Sequence, residues 1–134
     1  GAGAGAGAAG SAAAGTTPLE RGETLSYLCT LGSPLPLLAA AGGSVPGLNQ
    51  LEVPTAAMQR KHPHLRGGWA NFHPKGDPLS LPLAPCCPAI AQEHALTVRP
   101  RRDQPLPLAC LADVAGVVRP VAQAVSWVWQ DTNR

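Results

Sequence analysis

The sequence predicts a small α/β domain in which three strands precede a helix. Three short runs rich in apolar and aromatic residues each end at a cluster that contains Pro, and this is typical of buried strands that end in turns. After the last run, valines recur at three- and four-residue spacing, the pattern of one helical face. With 134 residues, the chain is long enough for one such domain and too short for two of ordinary size.

The first predicted strand covers residues 24–31, an apolar-rich run that stops at Gly32-Ser33-Pro34. One helical turn fits at residues 37–41, where Pro and Gly on both sides keep it short. Residues 48–66 show no periodicity, so we expect an irregular excursion there. A compact fold requires residues 35–66 to pack over the sheet, because parallel strands need cover on both faces.

The second predicted strand covers residues 68–73, a short aromatic run that stops at the turn cluster of residues 74–78. The four prolines between residues 78 and 88 exclude a regular helix or a central strand from that stretch. The third predicted strand covers residues 94–98 and ends where Arg99-Pro100 begins a basic loop.

The C-terminal helix is predicted over residues 113–130, with Asp113 as a suitable N-cap. Pro120 would remove an interior hydrogen bond, so we expect either a kink there or a helix that begins near Arg119 with Pro120 in its first turn. Trp127 adds a large apolar surface near the C-terminus, as does Trp129. The valines that share one predicted stripe are Val114, Val117, Val118, Val121, Val125 and Val128.

The chain divides into a flexible tail, residues 1–23, and a domain, residues 24–134. The tail begins with an alternating Gly and Ala tract that buries almost no side-chain area and loses much backbone entropy on ordering. We therefore expect residues 1–23 to act as a tail or linker rather than as part of the core.

Composition excludes several classes of partner. Only 13% of the residues are charged and the net charge is +2, so the chain lacks the basic surface that nucleic acids need. The small cluster of Arg99, Arg101 and Arg102 lacks interleaved aromatic residues and is interpreted as a solvated loop. No apolar run is long enough for a membrane span, and no basic segment precedes an apolar core as in a secretory signal. These features predict a cytoplasmic protein.

The four cysteines and four histidines do not form a metal-binding pattern. Cys29, Cys86, Cys87 and Cys110 have no Cys-x-x-Cys spacing, and we interpret them as small buried residues or free thiols of a reducing compartment. Pro63 separates His62 from His64 and favours a loop there. We therefore predict neither a metal nor another cofactor.

Three segments, in order, resemble the C-terminal portion of serine hydrolases of the α/β-hydrolase superfamily, in the bacterial lipase- and esterase-like branch. Residues 27–35 (YLCTLGSPL) are similar to a strand and its Gly-Ser-Pro turn, residues 67–79 contain the Trp-x-Asn-Phe of the next strand, and residues 117–129 resemble the closing helix. The resemblance implies a partial α/β-hydrolase fold with about three parallel strands. The first strand would then keep an open edge through which the chain can self-associate.

The resemblance implies that Asp77 lies on the loop that bears the acidic member of a catalytic triad. This position just follows a strand, where α/β sheets carry their reactive groups. The same residue also fits a second interpretation, the turn residue of Lys-Gly-Asp-Pro. Both interpretations are open at the level of the sequence.

The other two triad members are missing from the chain. No Gly-x-Ser-x-Gly motif occurs, and residues 107–112, where the family's histidine is expected, contain no imidazole. His94 is placed at the start of the third predicted strand, the wrong end of the sheet for this role. Cys110 lacks a cationic neighbour in sequence that would lower its pKa, so it does not replace the serine.

The leading hypothesis is that the chain is the C-terminal part of a serine hydrolase, inactive alone, whose intact form would hydrolyse a small ester-type substrate. One alternative is a non-catalytic interaction module that presents its Pro-rich segments, residues 78–88 and 100–107, as extended surfaces. Another alternative is a degenerate remnant without a selected function.

Overall fold

The computed structural model describes residues 17–42, 47–98 and 106–134. Most of the predicted tail and the cluster of Arg99, Arg101 and Arg102 lie outside these residues. Residues 17–23 of the tail form turns, and the Arg21 N–H donates to the Thr17 carbonyl at 3.1 Å.

A three-stranded parallel sheet forms the centre of the described chain, and its strand order follows the sequence. This confirms the predicted parallel strands and places Leu28, Phe72 and Leu96 on neighbouring strands. The strands are β1 (Tyr27–Leu31), β2 (Gly68–Pro74) and β3 (Ile90–Leu96).

Four strand boundaries differ from the prediction. β2 ends at Pro74 rather than at residue 73 and β3 ends at Leu96 rather than at residue 98, but the larger differences are at two strand starts. β1 begins at Tyr27 rather than at residue 24, and β3 begins at Ile90 rather than at residue 94. The prediction relied on apolar content, which Gln92 and Glu93 lack. These polar residues are accommodated in β3 because Glu93 receives hydrogen bonds from neighbouring segments.

The connection between β1 and β2 contains α1 (Leu35–Ala40), a 3-10 turn (Leu48–Gln50) and α2 (Ala56–Lys61). The prediction of an irregular excursion over residues 48–66 is wrong at α2, where Thr55 accepts a hydrogen bond from the Met58 N–H. Six residues are too few to show a helical period, although the Thr cap and the good helix formers after it are recognisable in the sequence.

The helical end of the chain has three parts: α3 (Leu106–Leu111), a π-helical segment (Val114–Val118) and α4 (Arg119–Thr132). Asp113 caps the π-helical segment by accepting the Gly116 N–H at 2.8 Å. The α-helix proper begins at Arg119 with Pro120 in its first turn, which confirms the second of the two predicted arrangements. None of the helices in the described ranges is both long and apolar enough to cross a membrane.

Each face of the sheet has its own apolar cluster. On one face, Phe72 and Ala70 pack with Cys110 and Val117 from the helical end of the chain. On the other face, Trp69 packs with Leu83 of residues 78–88, called the Pro-rich loop below. The connection between β1 and β2 adds Leu35, Leu48, Leu51 and Val53 to this second cluster, so part of residues 35–66 does pack over the sheet.

The six valines of the predicted stripe do not share one environment. Val117 is buried and Val121 packs against the same cluster, whereas Val114, Val118 and Val125 are exposed. The sheet therefore covers only part of the apolar surface of this helical region.

A chain of side-chain hydrogen bonds crosses the sheet under the Pro-rich loop. The Thr30 hydroxyl donates to Asn71 Oδ1 at 2.7 Å, and Asn71 Nδ2 donates to Glu93 Oε2 at 3.0 Å. Glu93 Oε1 also accepts the N–H groups of Leu83, at 2.5 Å, and Ala84, at 2.7 Å. One carboxylate thus joins β3 both to the central strand and to the loop that covers the sheet.

A second charged contact fastens the end of α4 to the start of β2. Asp131 accepts three hydrogen bonds from Arg66, from Nε and Nη2 at 2.9 Å each and from the backbone N–H at 3.0 Å. The guanidinium also lies 5.3 Å from the ring centre of Trp127. Arg66 therefore holds two residues of α4 against the segment that leads into the central strand.

We predict that Glu93→Gln lowers the free energy of unfolding by about 1–3 kcal/mol, because an amide cannot accept at both ends. The NH₂ group of the new glutamine must face either Asn71 Nδ2 or the N–H groups of the Pro-rich loop. These groups are also donors, so the hydrogen bonds on that side are lost. Urea denaturation followed by tryptophan fluorescence measures the change. Glu52→Gln at an exposed position is the matched control, and equal stability of the two variants would contradict a structural role for Glu93.

We predict that Asp131→Asn removes a pH-dependent part of the stability. The Arg66 hydrogen bonds lower the pKa of Asp131 from 3.8 to about 2. Because the folded pKa is the lower one, this stabilisation is complete above the unfolded value of 3.8 and is lost as the pH falls through the folded value. Denaturation curves between neutral and strongly acidic pH should therefore converge for the two proteins at the acidic end.

Arg134→Gln is the control for this measurement, since Arg134 is exposed and lies 3.9 Å from the same carboxylate. It should behave like the unmodified chain. Parallel stability curves for Asp131→Asn and the unmodified chain across the acidic range would show that the Arg66 contact does not stabilise the fold.

Candidate functional site

The carboxyl ends of the three strands meet at one edge of the sheet. The Gly32 N–H, just after β1, donates to the Phe72 carbonyl at 2.9 Å, and the Lys75 N–H, just after β2, donates to the Leu96 carbonyl at 2.8 Å. Loops that follow parallel strands are the usual place for reactive groups in α/β folds. This edge, called the carboxyl edge below, is therefore the first place to look for a site.

Asp77 lies at the carboxyl edge, three residues after the end of the central strand, and is 9% exposed. Its backbone N–H donates to the Pro74 carbonyl at 3.3 Å, and its Oδ1 accepts the Leu79 N–H at 3.0 Å. The residue thus closes the Lys-Gly-Asp-Pro turn, as the second interpretation of the sequence expects. Within the described residues, Oδ2 makes no hydrogen bond, so one oxygen of the carboxylate has no turn function.

A cleft of about 410 Å³ opens beside this turn. Its walls come from the end of β2 and from the first residues of the Pro-rich loop, and they include His73, Lys75, Asp77 and Ser80. Ser80 is 2% exposed, and its Oγ is the only buried side-chain oxygen or nitrogen in the described ranges without a hydrogen-bond partner. Ser80 was not identified from the sequence, where a serine among turn residues has no distinguishing signal.

Neither Ser80 nor Ser33 has the surroundings of an activated nucleophile. Ser33, just after β1, is buried, and its Oγ accepts the Leu35 N–H at 3.3 Å. A nucleophilic serine needs a base within hydrogen-bond reach. No imidazole in the described part of the chain hydrogen-bonds to either hydroxyl.

The histidines are distributed over separate surroundings. His73 Nε2 lies 3.8 Å from Glu93 Oε2, an oxygen that already accepts a hydrogen bond from Asn71 Nδ2. His94 stacks on Phe72 with ring centres 4.5 Å apart. It lies in the second half of β3, not at the start of the strand as predicted, because the strand begins four residues earlier. Neither imidazole hydrogen-bonds to Asp77 in the described ranges, so the structure contains no assembled triad there.

The cysteines are free, and three of them are poor candidates for an alternative nucleophile because their pKa values are raised. Cys110 is fully buried, and this burial raises the pKa of its thiol, which the carboxylates of Asp113 and Asp77 raise further. Burial also raises the pKa of Cys29 and of Cys87. A thiol with a raised pKa stays protonated at neutral pH and is a poor nucleophile.

No group of three or more His, Cys, Asp or Glu residues in the described ranges is arranged to hold a metal ion. The carboxyl edge therefore offers one partly free carboxylate, one buried hydroxyl, the imidazole of His73 and one exposed ammonium group, that of Lys75. This set can orient or bind a polar group, but in the described ranges no imidazole hydrogen-bonds to the hydroxyl, as nucleophilic catalysis requires.

We predict that Ser80→Ala leaves the stability unchanged or raises it by up to about 1 kcal/mol, since a buried hydroxyl without a partner opposes folding. Thermal unfolding measures the change, with Ser126→Ala on the exposed side of α4 as the control. A loss of more than about 1 kcal/mol specific to Ser80→Ala would mean that Oγ has a bonding partner in the folded protein.

No protein-family model, curated protein or solved structure is significantly similar to this chain.

Proposed function

We propose that the chain is the C-terminal part of an α/β-hydrolase-like serine hydrolase and that it contributes the triad carboxylate, Asp77. The serine and the histidine would come from outside the described domain. The intact enzyme would hydrolyse a small ester, and this chain alone would be inactive.

One observation carries the proposal: a largely buried carboxylate follows the central strand of a parallel sheet and keeps one oxygen free of hydrogen bonds in the described ranges. In a triad, the carboxylate accepts an imidazole N–H and thereby fixes the tautomer that takes the proton from serine. Asp77 Oδ1 is held by the Leu79 N–H, which orients the carboxylate, while Oδ2 is available to such an imidazole. The turn interpretation and the triad interpretation of Asp77 are thus compatible.

The proposed reaction follows from these roles. The serine oxygen would attack the ester carbonyl while the imidazole takes its proton, and the alcohol would leave as the imidazole returns that proton. Water would then release the acyl group by the same route. Asp77 would remain ionised throughout and stabilise the imidazolium that forms.

The alternative function, a non-catalytic interaction module that presents Pro-rich segments, is less well supported. The structure describes the whole of its first segment, residues 78–88. Leu83 and Cys87 are fully buried against Trp69, and the N–H groups of Leu83 and Ala84 are bound to Glu93. The turns at residues 84–86 interrupt the extended conformation that a polyproline surface requires, although all four prolines of the segment are exposed. Most of the second segment, residues 100–107, lies outside the described residues.

The proposal predicts no turnover of short p-nitrophenyl esters by the purified chain. It also predicts a Gly-x-Ser-x-Gly motif in the coding sequence upstream of Gly1, and ester hydrolysis by the longer product. In that product, Asp77→Asn should lower kcat by up to ~10⁴-fold, since the amide disfavours the productive tautomer. The variant should fold normally, because the amide oxygen can still accept the Leu79 N–H.

Glu52→Gln, which removes an exposed carboxylate, is the control and should retain full activity. Three results would each overturn the proposal: an upstream sequence without the motif, ester turnover by this chain alone, or full activity of Asp77→Asn.

A further inference from the structure

A cavity of about 280 Å³ lies at the end of the sheet opposite to Asp77, where α4 passes over the first residues of β2 and β3. It is called the amino-end cavity below. Close-packed protein interiors contain few voids larger than a water molecule, whereas pockets for small ligands begin at about 300 Å³. The amino-end cavity is therefore near the size at which a small ligand fits.

Small residues keep the amino-end cavity open. Gly68 and Ala70 line it from β2, Ala91 lines it from β3 and Ala124 lines it from α4. Gly68 has a φ of +154°, which larger residues rarely adopt, and a Cβ atom there would lie 3.4 Å from the Cβ atom of Ala91. Larger side chains at these positions would occupy the space of the cavity.

The pairing of β2 with β3 is irregular beside the cavity. Trp69 pairs with Ile90 and Ala70 pairs with Gln92, so Ala91 has no partner on β2. A bulge of this kind changes the direction in which nearby side chains project, and bulges are frequent next to binding sites. Gln92, the residue after the bulge, lines the cavity.

The polar groups in the wall that have no partner are mainly hydrogen-bond donors. Within the described ranges, no hydrogen bond is made by Arg66 Nη1, by the indole N–H of Trp127 or by Gln92 Nε2. Burial raises the pKa of Tyr27, whose O–H therefore remains a further donor in the wall. None of the described residues that line the cavity is acidic. Such a wall suits a ligand that supplies acceptors.

The guanidinium of Arg66 is held in a fixed orientation. Asp131 accepts from Nε and Nη2, which leaves Nη1 available for a second carboxylate. Arg134 also lies 3.9 Å from Asp131, so two guanidinium groups share one carboxylate. The exposed Arg119 directly precedes Pro120 of the wall. Together these charged groups are net positive, which favours an anion.

The remaining wall is apolar and partly aromatic. Pro120, Ala124 and Trp127 follow one another at four- and three-residue spacing and line the cavity from α4. The Trp127 ring centre lies 5.3 Å from the Arg66 guanidinium. An aromatic ring offers a large flat contact surface to an apolar body. A ligand that joins such a body to a carboxylate would therefore use both parts of the wall.

We propose that the amino-end cavity binds a small carboxylate with a flat apolar body. The carboxylate accepts from Arg66 Nη1, and the apolar body packs against Trp127. This site is separate from the proposed hydrolase chemistry, because none of the described residues that line it belongs to the carboxyl edge.

Titration of the chain with sodium phenylacetate, followed by NMR of the indole N–H groups, tests the proposal. The chain has three tryptophans, and the indole of Trp69 already donates to Thr30 on the other face of the sheet. The signal of Trp127 should shift, while those of Trp69 and of the exposed Trp129 should stay in place. Trp127→Phe and Trp129→Phe assign the signals.

Two further probes separate the parts of the ligand. Phenylacetamide has the same shape without the charge, and acetate has the charge without the apolar body. Each should bind at least ~10-fold more weakly than phenylacetate, since each loses one of the two contacts. Phenylacetamide that binds as tightly as phenylacetate would contradict the role of Arg66, and acetate that does so would contradict the role of Trp127.

Ala124→Leu should weaken the binding of phenylacetate at least ~10-fold, because the longer side chain fills the cavity. Ala122→Leu, at an exposed position of the same helix, is the matched control and should bind like the unmodified chain. Circular dichroism melting checks that both variants retain the fold. If Ala124→Leu unfolds, Ala91→Leu at an exposed position of β3 takes its place.

Two results would overturn the proposal. One is the absence of any shift of the Trp127 signal at millimolar phenylacetate. The other is unchanged binding by the folded variant that fills the cavity.

Discussion

The carboxylate of Glu93 sits where three parts of the fold meet. A parallel sheet needs cover on both faces, and here helices cover one face while a Pro-rich loop and the β1–β2 connection cover the other. Its prolines prevent that loop from forming regular structure in which every backbone N–H would find a carbonyl partner. The N–H groups of Leu83 and Ala84 donate to Glu93 instead. The other oxygen of the same carboxylate is bound by Asn71, which also contacts Thr30 of β1. Asp77 and Ser80 lie at the start of this loop, and Glu93 holds the residues that follow them.

The Arg66–Asp131 contact has the corresponding role for the helical layer. It joins the end of α4 to the segment before β2, near the opposite end of the sheet from Asp77. These two contacts use Glu93, Arg66 and Asp131 for structure, three of the chain's 10 basic and 8 acidic residues. At the carboxyl edge, the partly free carboxylate of Asp77 has no imidazole bound to it in the described ranges.

One feature of the described chain points beyond it. A largely buried carboxylate follows the central strand at the carboxyl edge, and one of its oxygens makes no hydrogen bond in the described ranges. The proposed function accounts for this oxygen by a site completed from outside this domain. Apart from this edge, α4 has exposed apolar side chains on a side that the sheet does not reach.

Local chemistry in the sequence was sufficient to predict the three strands, the Asp113 cap and two possible arrangements around Pro120, of which the structure has the helix that begins at Arg119. Each depends on a residue and its near neighbours in the chain. The tertiary structure decided where partners come from distant segments. Gln92 and Glu93 belong to β3 because Asn71 and the Pro-rich loop bind Glu93, and the valine stripe divides because a three-stranded sheet covers only one side of α4. Ser80 became notable only once packing buried its hydroxyl without a partner, a condition that no pattern of neighbouring residues encodes.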